Sequence, residues 1–228
     1  MSLVQGNNNA TYLDHGNIAA INGATALSIA FWAWGGAAVS ISDIAKGTLH
    51  FFDMGGTREY QIREAGIWTL ITAENTVPVE DWRHFGMVYD GTQPATSRIT
   101  IYMDAISRPL TGINTTLPQG SDAATTAPTS LPSSASAVQV GNSNVSGVIG
   151  HLRFWTAALT QAEIAQEQHR YWAFRQTNLV LDAPYDDQLA ARDYSGNGNH
   201  GSWSSLLSPV IQRQGPPVSY GGKVLVTG

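Results

Sequence analysis

The chain has no cysteine, which excludes disulfide staples, thiolate metal sites and thiol nucleophiles. Charge is also scarce: Asp, Glu, Lys and Arg make up 13% of 228 residues, with a net charge of −5. A nucleic-acid interface needs a surplus of cations to meet phosphates, so this composition argues against one. No run approaches the ~18 uncharged apolar residues of a membrane span. The opening MSLVQGNNNATYLDHG lacks the basic and apolar regions of a secretory signal. These absences predict a soluble protein made in the cytoplasm, with no nucleic-acid or membrane partner. The length suits one all-β domain with appendages.

What is present reads mainly as strands and turns. Val138–Val140 and Val148–Trp155 alternate apolar residues with period two, with Leu152 and Phe154 on one face. Thr160 stands three residues before Glu163, a capping box that predicts a helix from Gln161 to about Phe174. Leu27–Trp34 carries Leu27, Ile29 and Phe31 on one face and Trp32 and Trp34 on the other. That pattern predicts a strand packed from both sides or lining a concave surface. Further strands are predicted at Asn17–Ile21, Leu49–Asp53, Glu59–Arg63, Trp68–Ile71, Asp81–Tyr89, Arg98–Asp104 and Leu179–Leu181. Thr111–Ala137, rich in Thr, Ser, Ala and Pro, reads as a long surface loop.

Two stretches carry a family resemblance. DWRHFGMVYDG followed by ITIYMDA, and VQVGNSNVSGVIGHLRFWTAALTQAEIAQ, resemble motifs of concanavalin A-like, laminin G-like and pentraxin-like domains. The resemblance covers roughly residues 17–175. It implies an all-β, two-sheet antiparallel jelly-roll sandwich with one short helix. The tail, LVLDAPYDDQLAARDYSGNGNHGSW and then GPPV, resembles an element of laminin G-like proteins in phages and prophages. The expected organisation is a sandwich over 1–175, a C-terminal segment over 176–214 returning to the sandwich edge, and an extended arm over 215–228.

Three groups of residues bear on chemistry. Asp193, Ser195, Asn197 and Asn199 alternate oxygen-bearing side chains around Gly198, spaced like the start of a calcium loop. The closing acid is missing, and Ser204 stands in its place. Calcium-binding laminin G-like domains supply an Asp from the Gly-x-Ile strand, where this chain has Gly150 and His151. The alternative is a turn needing positive φ. Glu59 and Glu64 invite comparison with laminarinase-like glycosidases, although Gln61 replaces the middle Asp of their motif. Retaining hydrolysis needs two carboxyls ~5 Å apart, and residues five apart on a regular strand face opposite sides unless a bulge intervenes. No Gly-x-Ser-x-Gly elbow occurs. Tryptophans offer faces for sugar rings; Trp68 and Trp203, near turns, are the chosen glycan-binding candidates.

The combined expectation is a non-enzymatic virion protein of a phage: a capsid decoration or a tail- or fibre-associated module. It would be homo-oligomeric, contact capsid or tail proteins, lie on the virion surface and be released by lysis. A lectin-like adhesion module is the alternative, and a glycoside hydrolase the remote one.

Overall fold

A computed structural model describes residues 2–4, 12–34, 43–46, 49–53, 59–64, 67–72, 81–108, 128–140, 148–185, 191–204, 210–212 and 216–218. In residues 2–4, 43–45, 49–53, 59–64, 67–72, 96, 148 and 210–212 the backbone alone is described. The strands run β1 (Ser2–Val4), β2 (Leu13–Asp14), β3 (Ala26–Trp34), β4 (Asp43–Lys46), β5 (Leu49–Asp53), β6 (Glu59–Glu64) and β7 (Ile67–Thr72). They continue with β8 (Trp82–Asp90), β9 (Ile99–Met103), β10 (Ile106–Arg108), β11 (Val138–Val140) and β12 (Val148–Trp155). After the helix α1 (Gln161–Gln168) come β13 (Leu179–Ala183), β14 (Ser202–Trp203) and β15 (Val210–Gln212).

The strands form two sheets. One has the order β10-β9-β8-β3-β12-β1-β15, with β13 also on β12; the other is β14-β2-β11-β4-β5-β6-β7. Every strand pairing among the described residues is antiparallel. This is the two-sheet antiparallel sandwich that the family resemblance implies. The C-terminal segment supplies β13, the edge strand β14 of one sheet and the edge strand β15 of the other.

Period two along β3 explains the layering. Leu27, Ile29, Phe31 and Ala33 enter the core between the sheets, where they meet Leu13, Val138, Val140, Leu152 and Phe154. Ala30 faces the other way, into a second apolar layer with Trp155, Leu159, Ile164 and Leu179. Trp32 is buried as well and donates from its indole nitrogen to the Gln168 carbonyl at 3.1 Å. Thus β3 is packed from both sides, and its outer face is a floor for α1. Gly86 lets the helix settle: a Cβ there would lie 3.1 Å from the Ile164 side chain. No helix among the described residues is long and apolar enough to cross a membrane.

Three expectations change. Asn17–Ile21 is no strand: Ala19–Ile21 forms a 3-10 turn that places Ile18 and Ile21 in the core. The predicted helix starts at its capping box but stops at Gln168 rather than near Phe174, for a reason found in the buried charges below. The long loop lies partly outside the described residues, but its last part is held in the fold. Leu131 is buried, its N–H donates to the Ala24 carbonyl at 2.8 Å, and buried Lys46 donates to the Ser134 carbonyl. In the expected arm only Pro216–Val218 is described, and Pro216 is buried.

Candidate functional site

The loop from Arg192 to His200 is closed by a bridge between Ala191 and Gly201. Gly201 has no substitute there, because a Cβ would lie 2.8 Å from that of Ala191. Gly196 and Gly198 turn the loop with φ of 86° and 74°, the left-handed region that glycine enters without a steric cost. The four residues singled out for calcium do come together. Asp193 is buried, and its Oδ1 accepts from the N–H groups of Asp182 at 2.9 Å and Ser195 at 2.8 Å. Its Oδ2 accepts from the Ser195 hydroxyl at 2.8 Å and the Asn199 N–H at 2.9 Å. Asn197 donates its side-chain amide to the Leu179 carbonyl at 2.9 Å, and Asn199 donates to Val180 at 2.7 Å.

That arrangement staples the loop to β13. Calcium takes six to eight oxygen ligands, whereas the single carboxylate here is occupied by four donors and both asparagines turn amide nitrogens to carbonyls. As folded, the loop does not fit calcium. Among the described residues there is also no cluster of three or more His, Cys, Asp or Glu able to hold a metal.

A second polar centre lies under α1. Arg153 on β12 is almost fully buried and pairs with Asp182 at 2.9 Å and Glu167 at 3.0 Å, both buried. Its guanidinium also donates to the carbonyls of Glu167, Arg170 and Tyr171. The carboxylates in turn accept from the N–H groups of Ala173, Phe174 and Arg175. These contacts hold residues 170–175 as an irregular strap and end the helix early. Burial raises the Glu167 pKa, against the lowering by Arg153. Nearby, His84 packs edge-on against Trp32 and His151 against Tyr171. Burial, reinforced by Arg153, pushes His84 down to about 3 and His151 well below the usual imidazole value.

The strap also presents aromatic rings to solvent. Trp172 and Tyr194 are 49% and 41% exposed, with ring centroids 5.1 Å apart and planes at 68°. Tyr194 belongs to the stapled loop and lines a pocket of about 570 Å³ together with Arg192, Asp193 and His200. The volume lies within the ~300–1,000 Å³ of small-ligand sites. His200 Nδ1 accepts the Asp193 N–H at 3.0 Å, which places the proton of the neutral ring on Nε2. The sequence offers Trp172 as one of six tryptophans able to face a sugar ring but prefers Trp68 and Trp203, so it does not single out this site. Its available signal was the Tyr171-Trp172 pair in a segment with only a rough apolar stripe.

The other candidates are placed elsewhere. Trp203 is half-buried, packed against the core and paired with Leu13. Trp68 stands on β7 opposite Arg63; its side chain lies outside the described residues. The pairing of β6 with β7 runs from Glu59↔Thr72 to Glu64↔Ile67 without a register shift, so no bulge there brings positions 59 and 64 to one face.

Residues 6–165 match the concanavalin A-like lectin/glucanases superfamily. The chain belongs to that superfamily. No curated protein matches the sequence. A structurally similar protein, from Bacteroides ovatus and proposed to bind carbohydrate, is 12% identical with a TM-score of 0.54, over 92% of this chain and 60% of its own. The full extracellular region of zebrafish Gpr126/Adgrg6 is 16% identical with a TM-score of 0.53, over 81% of this chain and 24% of its own. This chain therefore spans less than two thirds of either. At these identities the likeness is one of fold.

Within the superfamily fold, the Gly150-His151 position, where the family resemblance implies a calcium-ligating Asp, has a backbone irregularity. The register with β3 shifts between Gly150 and Arg153, and His151 has φ of 52°. At this bulge the second partner of β12 changes, from β1 at Val148–Ile149 to β13 at Leu152–Trp155. The extra residue sets Arg153 on the face that α1 covers.

Proposed function

We propose that this chain is a non-enzymatic, lectin-like recognition module that binds a glycan at the Tyr194 pocket, beside the exposed Trp172 ring. We further propose that it serves on a phage particle as a homo-oligomeric decoration or tail-associated subunit. The observation that carries glycan binding is the exposed pair of aromatic rings, Trp172 and Tyr194, of which Tyr194 lines a pocket with Arg192, Asp193 and His200. Sugar rings combine apolar C–H faces with hydroxyl rims, so a flat aromatic beside hydrogen-bonding groups suits them. The fold shared with a Bacteroides ovatus protein proposed to bind carbohydrate agrees with this reading. The virion assignment is supported by the phage-type resemblance of the tail, whose Asp193, Tyr194 and His200 line the pocket.

A glycan array tests binding. Trp172→Ala and Tyr194→Ala should each weaken retention by about tenfold, equivalent to ~1.4 kcal/mol, with unchanged melting temperatures. Retention unaffected by both changes would remove the site. Mass spectrometry of purified particles from the source tests the virion assignment, which the absence of this chain from them would overturn. An adhesion module outside a particle is the reading left if glycans bind and the particles lack the chain.

A further inference from the structure

We infer that the pocket selects a glycan residue bearing a carboxylate, such as a hexuronic or sialic acid, an inference that rests on the glycan-binding reading above. The walls decide this by what they can still offer. Asp193, the acidic residue lining the pocket, has both oxygens occupied by four internal donors. Arg192 is exposed, lines the same space and has no ion-pair partner among the described residues. His200 is exposed as well, and its Nδ1 is engaged by the Asp193 N–H, leaving Nε2–H as a donor. The pocket thus combines an aromatic wall, an arginine and an imidazole N–H with a carboxylate whose oxygens already accept internal hydrogen bonds.

Such a set is complementary to an acceptor. A carboxylate receives two parallel N–H donors from a guanidinium, while the C–H face of the same ring would lie on Tyr194. A neutral sugar would use the aromatic wall but bring no anion to Arg192, which has no ion-pair partner among the described residues. The stapling of the loop matters too. Asp193, Ser195, Asn197 and Asn199 fix the backbone on either side of Tyr194, so the donors are set before ligand arrives.

The test is an immobilised panel of acidic oligosaccharides, each beside its carboxyl-reduced counterpart: oligogalacturonate, hyaluronan fragments, alginate fragments and sialyllactose. Wild-type protein should hold the acidic member of at least one pair about tenfold more tightly. That preference should shrink with rising salt and vanish in Arg192→Gln, while Arg192→Lys should restore part of it. Melting curves of both variants should match wild type. Equal binding within every pair, or a preference untouched by Arg192→Gln, overturns the carboxylate inference and leaves glycan binding standing. Retention of neutral glycans alone, lost in Trp172→Ala, does the same. Absence of binding to every acidic and neutral member refutes both readings.

Discussion

Asp193 shows how one residue decides between two chemistries. A carboxylate in a run of Ser and Asn suggests a cation site, but here four donors converge on its oxygens. Charge-assisted hydrogen bonds stabilise by ~1.5–3 kcal/mol each, and their donors cost energy when stranded. Asp193→Ala should therefore lower unfolding free energy by about 2–4 kcal/mol, discounted because the loop can reach water once loosened. Urea denaturation measures it, and a loss below about 1 kcal/mol would mean that the staple carries little. The same geometry predicts that millimolar calcium or a chelator leaves the melting temperature unchanged. A rise of several degrees with calcium would show that the loop rearranges to ligate it.

Elements are where Arg153 acts. The residue ties β12 to β13 through Asp182 and to the end of α1 through Glu167. Removing one member of a buried ionic group leaves the others uncompensated, at a cost of ~3–5 kcal/mol. Arg153→Met should destabilise by that amount, because Glu167 and Asp182 would remain as two buried carboxylates without their cation. Glu167→Gln in that background should recover part of the loss, and denaturation of single and double variants gives the comparison. Destabilisation by less than about 1 kcal/mol would mean that water reaches the carboxylates. This network also marks how far sequence patterns reach. The strands β3, β11 and β12 were legible because side-chain alternation is local. The start of α1 was legible for the same reason: Thr160 and Glu163 exchange hydrogen bonds within one turn. Its end was not, since the strap that halts it is held by Arg153 and by Asp182, 29 residues further along. The site follows the same division. The Gly/Asn loop could be read as a turn, but its pairing with Trp172 and the exposure of both rings depend on packing β13 beside β12.

For the molecule as a whole, the buried histidines predict how stability follows pH. His15, His84 and His151 all have folded pKa values below the ordinary 6.5, each chiefly through burial. His15 holds the Asn199 carbonyl and the Tyr185 hydroxyl, so it joins the C-terminal segment to β2, while His84 and His151 lie in the other sheet. A depressed imidazole binds fewer protons folded than unfolded between its two pKa values. Stability therefore rises with pH across that interval and is lost as pH falls from 6.5, for His84 down to about 3. Each such histidine contributes a slope of at most about 1.4 kcal/mol per pH unit. Glu167 works in the opposite sense, because its raised folded pKa favours the folded state as pH drops below that value, until the unfolded chain protonates too. Three histidines, joined near pH 4 by the lowered carboxylates of Glu163 and Asp90, against one raised glutamate leave a net loss toward acid. Urea denaturation at pH 7, 6, 5 and 4 should show stability falling steadily. His84→Leu should flatten the curve by about one proton's slope between pH 6 and 4, whatever its effect at pH 7. Parallel curves for wild type and variant would show that His84 takes up its proton without unfolding, through an opening that admits water to the layer beneath α1.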